Sequence, residues 1–153
     1  MVKPNQIDQM KYFFFSFLAV LLCIGNLHSQ NNSPVGVWKS IDDKTGEAKS
    51  HVEVYQKNGK MYGKIVKILT DKPNAKCDDC KGDKKGQPVM GLVIIEGLQE
   101  SDGIWKSGTI LDPQNGSVYG CSMWVEGEKP NELKVRGKHW TGIYRTQTWF
   151  RVK

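Results

Sequence analysis

No helical periodicity runs through this chain beyond Gln30, which excludes helix bundles and the alternating strand–helix architectures. The signatures of common catalytic chemistry are missing as well. There is no Gly-x-Ser-x-Gly, no His-Glu-x-x-His and no phosphate loop, so nucleophile elbow, zinc-protease helix and nucleotide cradle are all excluded. Histidine is scarce: past residue 29 only His51 and His139 occur, and each reads as a surface strand or loop residue. Blocks of like charge are absent too. Glu126, Glu128, Lys129, Glu132 and Lys134 interleave, unlike the basic arm of a nucleic-acid binder. On these absences we expect no catalytic residues, no metal, no cofactor and no enzymatic activity.

The first 29 residues differ from the rest. A polar start with Lys3 and Lys11 leads into Tyr12–Ile24, thirteen residues with Ser16 as the one polar member. A membrane span needs about 20 apolar residues, whereas a secretory leader needs about 7–15 behind a basic start. The segment 1–29 therefore reads as a signal peptide with Ser29 before the cut, and the domain as 30–153. Cys23 raises the alternative of a lipid anchor, but Leu22 stands where a lipid-modified leader carries a small residue. The expected location is the periplasm or the extracellular space, with lipid anchoring the lesser alternative.

Taking 29 residues from 153 leaves 124, enough for one domain. Of 22 basic and 16 acidic residues, Lys3, Lys11 and Asp8 go with the leader, leaving a net charge of +5. That mild basicity serves solubility and attraction to acidic surfaces. Three cysteines remain: Cys77, Cys80 and Cys121. In an oxidising compartment an odd count predicts one pair and one leftover thiol.

What the chain does contain is a run of short alternating segments divided by turn residues. Asn58-Gly59, Asp102-Gly103 and Asn115-Gly116 each supply the positive φ that tight hairpins require. Pro130-Asn131 separates two further segments. The strands fall at about 35–42, 49–57, 61–70, 88–97, 103–111, 117–125, 132–138 and 144–152. Eight strands joined by short reversals make an antiparallel meander, and eight is the smallest number that closes around side chains or one small ligand. The fold class is all-β: a single-domain, eight-stranded up-and-down barrel, with an open sheet or sandwich as the alternative. Alternation puts Arg145, Gln147, Trp149 and Arg151 on one face of the last strand. It puts Tyr119, Cys121, Met123 and Val125 together on the sixth. A register slip of one residue would flip both sets.

The polar stretch from Thr70 to Gln87 is long for an ordered connection. Within it Cys77-Asp78-Asp79-Cys80 reads first as a local disulfide pinning the loop. A zinc site would need Cys121, His51 and His139 to converge on the pair, and a redox dithiol would need a different setting. Asp42-Asp43-x-Thr45-Gly46 is a fragment of a calcium loop and reads better as a turn with Gly46 at positive φ.

Five tryptophans, Trp38, Trp105, Trp124, Trp140 and Trp149, are many for so small a domain. They read either as barrel filling or as the walls of a cavity in which an arginine fixes a polar head. The candidate ligand-binding residues are Trp105, Tyr119, Trp124, Arg136, Arg145 and Trp149, and the structural disulfide is Cys77–Cys80.

Gly36-Val37-Trp38 opening the first strand, with Arg145 and Arg151 on the last, is similar to the arrangement in lipocalins. There a tryptophan closes one barrel end and a late arginine packs across its ring. A longer string resembles the uncharacterised family of exported bacterial proteins called domain of unknown function 2147. It comprises Gly36-x-Trp38 with Asp42-Asp43-x-Thr45-Gly46, then Tyr62-Gly63-Lys64-Ile65, Cys77-x-x-Cys80-x-Gly82, Pro88-Val89-Met90-Gly91, Gly97-Leu98, Trp105-x-x-Gly108-x-Ile110-Leu111-Asp112-Pro113-x-Asn115-Gly116, Leu133-x-Val135-Arg136-Gly137 and Arg145-Thr146-Gln147-x-Trp149. The resemblance implies a bacterial secreted protein with a lipocalin-like barrel and no assigned activity. His139-Trp140 departs from the more aliphatic family pattern and implies an altered loop there.

Two functions follow as expectations. The first is a non-enzymatic, monomeric binding module for a small apolar or amphiphilic molecule or an envelope component. The second is a structural protein with a filled barrel whose Cys77–Cys80 loop meets a protein partner. An interior packed solid by Trp and Met would rule out the first.

Overall fold

In the computed structural model, which describes residues 32–153, eight antiparallel strands follow one another in chain order and close into a barrel. They are β1 (Gly36–Ile41), β2 (Ala48–Lys57), β3 (Lys60–Ile68), β4 (Val93–Ser101), β5 (Ile104–Asp112), β6 (Ser117–Glu126), β7 (Lys129–Lys138) and β8 (Tyr144–Arg151). Closure is made where Trp38 and Lys39 of β1 pair with Arg151 and Phe150 of β8. The expected eight-stranded barrel is the fold. The signal peptide read over 1–29, with Cys23, lies outside the described residues.

Turn chemistry sets most of the reversals. Asn58 and Gly59 sit at φ 51° and 74°, and Asp102 and Gly103 at 56° and 77°, as two-residue hairpins require. The third signal works differently. Pro113 opens a four-residue connection in which only Gly116 is left-handed, while Asp112 Oδ1 accepts the Gln114 amide at 3.0 Å. A proline ring fixes φ near −65°, which suits the start of an ordinary turn and not a mirror-image one.

Two strand boundaries differ from expectation. Pro130-Asn131 is not the β6–β7 turn: Gly127-Glu128 is, and both residues lie inside β7, where a proline near a strand start forgoes little pairing. The fourth strand starts at Val93 and not at Pro88, and it runs on through Gly97 to Ser101. Pro88 and Val89 instead pair within their own loop, Lys76 opposite Pro88 and the Val89 amide donating to the Ala75 carbonyl at 2.9 Å, while Gly91 and Leu92 bond to β3, the Gly91 amide donating to the Ile65 carbonyl at 2.8 Å and the Leu92 carbonyl accepting from the Ile65 amide at 3.0 Å. Gly97, at φ 72°, bends β4 without ending it.

The chain between β3 and β4 is thus a longer excursion than expected, residues 69–92, and it is anchored. The Cys77–Cys80 disulfide closes within it, with the two Cα atoms 5.3 Å apart and both side chains buried. Lys84 Nζ donates to the Val93 carbonyl at 3.0 Å and pairs with Glu96. Gly116 lies directly under the loop, where a Cβ would overlap the Asp79 carbonyl.

The predicted faces hold. Val52, Val54, Met61, Ile95, Leu98, Met123, Leu133 and Trp149 point inward and are buried. Burial of each such side chain contributes about 1.5–3 kcal/mol. The lower end, where the tight hairpins lie, is sealed by Trp38. Its indole N–H donates to the Pro34 carbonyl at 2.7 Å, and the Arg151 guanidinium lies 4.1 Å from its ring centre. Arg151 in turn donates to the carbonyls of Ser33, Val35 and Pro130 at 3.0–3.1 Å. The stacked arginine is therefore Arg151, and Arg145 belongs to the opposite end.

Candidate functional site

The upper end of the barrel carries the 42–47 turn, the 69–92 loop, the 113–116 connection and the 139–143 loop. Between them opens a cavity of about 540 Å³ reaching down to Ile65, Val135 and Trp149. The barrel is therefore filled in its lower half and hollow in its upper half. This follows from residue size along the inward rows. Toward the floor these rows carry Met61, Leu98, Met123 and Leu133. Toward the mouth they carry Ser40 on β1, Ser50 on β2 and Gly137 on β7, which leave space.

Polar groups enter the cavity in bonded sets. Ser40 and Ser50, both buried, share a hydroxyl–hydroxyl bond of 2.9 Å. The Trp149 indole donates to Gln147 Oε1 at 2.9 Å. At the rim Arg145 makes a two-pronged pair with Asp43 and stands 4.0 Å from Asp42, which Lys49 approaches at 3.3 Å. The Arg145 guanidinium holds the Asp43 carboxyl below the usual carboxylate range. Backbone amides of Lys44 and Thr45 do the same for Asp42, at 2.8 and 3.2 Å. Those bonds, with Gly46 at φ 74°, make Asp42–Gly46 the turn the sequence indicated.

The barrel wall divides the six candidate residues. Tyr119, Arg145 and Trp149 line the cavity. Trp105 pairs with Met123 toward the lower end and packs on the core away from the cavity. Trp124 and Arg136 are on the outer face, the guanidinium 5.0 Å from the indole centre and 4.6 Å from the ring of Tyr144. Arg136 is thus not placed to meet a ligand in the cavity, and Arg145 is engaged by Asp43. Tryptophan as barrel filling holds for Trp38 and Trp149, which are buried, and in part for Trp105, whereas Trp140 is 88 % exposed on the 139–143 loop beside Ile143 and Tyr144.

Ser40 and Ser50 are not among the residues read from the sequence, Asp43 is read there only as part of a turn, and Gly137 and Gln147 only as motif or strand-face positions. Serines at inward positions beside Trp38 and Val52 were a readable sign of a partly polar interior. The Asp43–Arg145 pair spans 102 residues and has no local signature.

Cys77 and Cys80 are joined to each other, so the convergence of Cys121, His51 and His139 upon them does not form. Among the described residues no three metal-ligating side chains cluster. Cys121 faces the barrel interior, and burial pushes its thiol up to about 12. An exposed thiol of ordinary pKa, about 8.5, gains reactivity steeply between pH 7 and 9. Cys121 should show no such rise: iodoacetamide labelling followed by peptide mass spectrometry should find it unmodified up to about pH 10 and fully modified in guanidinium. Native labelling at pH 8 would contradict this burial.

The fold resembles a solved structure described as "Protein HP1028 from the human pathogen Helicobacter pylori belongs to the lipocalin family". The superposition has a TM-score of 0.68 at 17% sequence identity and covers 80% of this chain and 84% of that one. No curated protein matches the chain in sequence. Residues 36–151, from the start of β1 to the last residue of β8, match the sequence profile of the family described as "Uncharacterized protein conserved in bacteria (DUF2147)", and the chain belongs to that family.

Proposed function

We propose that this protein is a binding module that holds a small apolar or amphiphilic molecule in the upper half of its barrel and performs no chemistry on it. The observation that carries this reading is the cavity itself: about 540 Å³, open at one end, with aliphatic and aromatic side chains such as Ile65, Ile94, Ile110, Val135 and Trp149 alongside polar groups, over a sealed floor. Sites for small molecules usually measure about 300–1,000 Å³ and combine such walls with a few oriented polar groups. A structural protein with a filled barrel would not leave this space. The lipocalin-like fold and the basic, apolar leader read in the sequence support the same role in an exported protein, and a disulfide is at home in an oxidising compartment.

Release of apolar surface from water supplies the affinity, about 25 cal/mol per Å² buried, against the cost of association. Titration of the purified protein with the fluorescent probe N-phenyl-1-naphthylamine should therefore give saturable enhancement at one site, with a Kd on the order of 10 μM. A linear, unsaturable response would sink the proposal.

A further inference from the structure

The cavity has a polar side and an apolar side. Ile65, Ile110 and Val135 stand on β3, β5 and β7, whereas Ser40, Ser50 and Gln147 stand on β1, β2 and β8. The polar side coincides with the weakest seam of the barrel. β7 and β8 pair continuously from Glu132↔Phe150 to Lys138↔Tyr144. β1 and β8 pair only at Trp38↔Arg151 and Lys39↔Phe150. Above Lys39 the facing edges, Ser40–Asp42 and Tyr144–Thr148, form no ladder pairs with each other and are spanned by side chains. Gln147 Nε2 reaches Asp43 Oδ1 at 3.4 Å, and Arg145 pairs with Asp43.

We propose that this seam takes the polar head of the ligand, and that the head is uncharged and hydrogen-bonding: a hydroxyl, amide or ester on a single apolar chain. This rests on the reading of the cavity as a ligand site. Its ground is the charge arrangement at the rim. Arg145 faces three carboxylates, Asp43 in contact, Asp42 at 4.0 Å and Asp112 further off. Lys49 faces Asp42. An anionic head at the seam would have to take Arg145 from Asp43 and then sit beside the aspartates, and like charges a few ångströms apart repel. A cationic head would have to displace Arg145 or Lys49. A neutral head leaves these ion pairs in place, and the serine hydroxyls and the Gln147 amide have the donors and acceptors to exchange hydrogen bonds with it.

Displacement of bound N-phenyl-1-naphthylamine by two ligands with the same chain, monolaurin and laurate, tests this below their micellar concentrations. The wild-type protein should release probe at a monolaurin concentration at least tenfold lower than that of laurate. An ionised acid enters any apolar cavity less readily, so the deciding arm is Asp43→Asn, which leaves Arg145 without its two-pronged partner. In that variant laurate should improve and the gap should narrow at least threefold. Laurate equal to or better than monolaurin on the wild type overturns the inference, as does a gap unchanged by Asp43→Asn. If that variant does not fold, Asp42→Asn, which removes the carboxylate 4.0 Å from Arg145 and keeps an oxygen to accept the Lys44 and Thr45 amides, takes its place with the same narrowing expected and the same result overturning the inference. Saturable probe binding with the wrong head preference defeats this inference only, whereas absence of any probe binding defeats the ligand-site reading beneath it.

Discussion

Replacing Trp38 with alanine should lower the free energy of unfolding by about 3–5 kcal/mol, the range for deleting a buried aromatic. The indole is fully buried at the lower end, and its N–H is bonded to the Pro34 carbonyl at 2.7 Å. Alanine removes the apolar area and leaves a hole on the floor of the barrel. It also removes the ring beneath Arg151, a guanidinium already depressed below its ordinary pKa by burial. That charge keeps the carbonyls of Ser33, Val35 and Pro130 but loses the π-face that partly offset its desolvation. Loss of the floor also frees the one stretch where β1 and β8 pair, so closure itself weakens. Urea denaturation followed by circular dichroism measures the effect. A loss under about 1.5 kcal/mol would show that the plug is not what seals the barrel. Arg151→Ala should cost less, about 1–3 kcal/mol, the range for a hydrogen-bonded charged group.

The second large effect concerns the cavity. Gly137→Phe should weaken probe binding more than tenfold while the protein stays folded. Gly137 lines the cavity on β7, with Cys121 and Arg145 as its cross-strand partners. A Cβ there meets Tyr119 and Ile110 at 3.6–3.8 Å, ordinary contact distances, so a side chain can start from this position. A phenyl ring has no outward course from an inward position and must occupy the cavity. Overpacking costs typically about 1–3 kcal/mol, less here because the space is empty. Gly137→Ala is the control and should bind as the wild type does, by the same fluorescence titration. Retention of full affinity by Gly137→Phe would place the probe elsewhere, with the exposed Trp140, Ile143 and Tyr144 next in line.

The barrel was legible because its determinants are local. Asn58-Gly59 and Asp102-Gly103 dictate tight hairpins by backbone sterics alone, and period-two alternation grouped the residues that share a face of β6 and of β8, while burial decided which face is inward. Errors came where a local signal had more than one reading. Pro88-Val89-Met90-Gly91 carries strand-like residues but lies outside β4, because Pro88 and Val89 pair with Lys76 and Ala75 in their own loop and only Gly91 bonds to β3. Gly97 looked like a strand end and is a bend, since β4 keeps partners on both sides.

The candidate site was legible by half. Tyr119, Arg145 and Trp149 share the inward parity that alternation supplies, and they reach the cavity. Trp124 and Arg136 have the opposite parity. Residue type suggested a role in the cavity that their position on the outer wall does not allow. The pairing of Asp43 with Arg145 was not legible, because a salt bridge between the ends of a closed sheet depends on which strands become neighbours.

By itself, then, the sequence determined strand number, most turns, the disulfide, the faces of the strands and the family, all of which depend on spacing within one or two hairpins. Only the tertiary structure decided that the barrel closes by a short seam between β1 and β8, that its lower half is filled and its upper half hollow, and that Arg145 is held by Asp43. These properties belong to contacts between residues about a hundred positions apart and to the volume left after all side chains are placed. No local pattern encodes either.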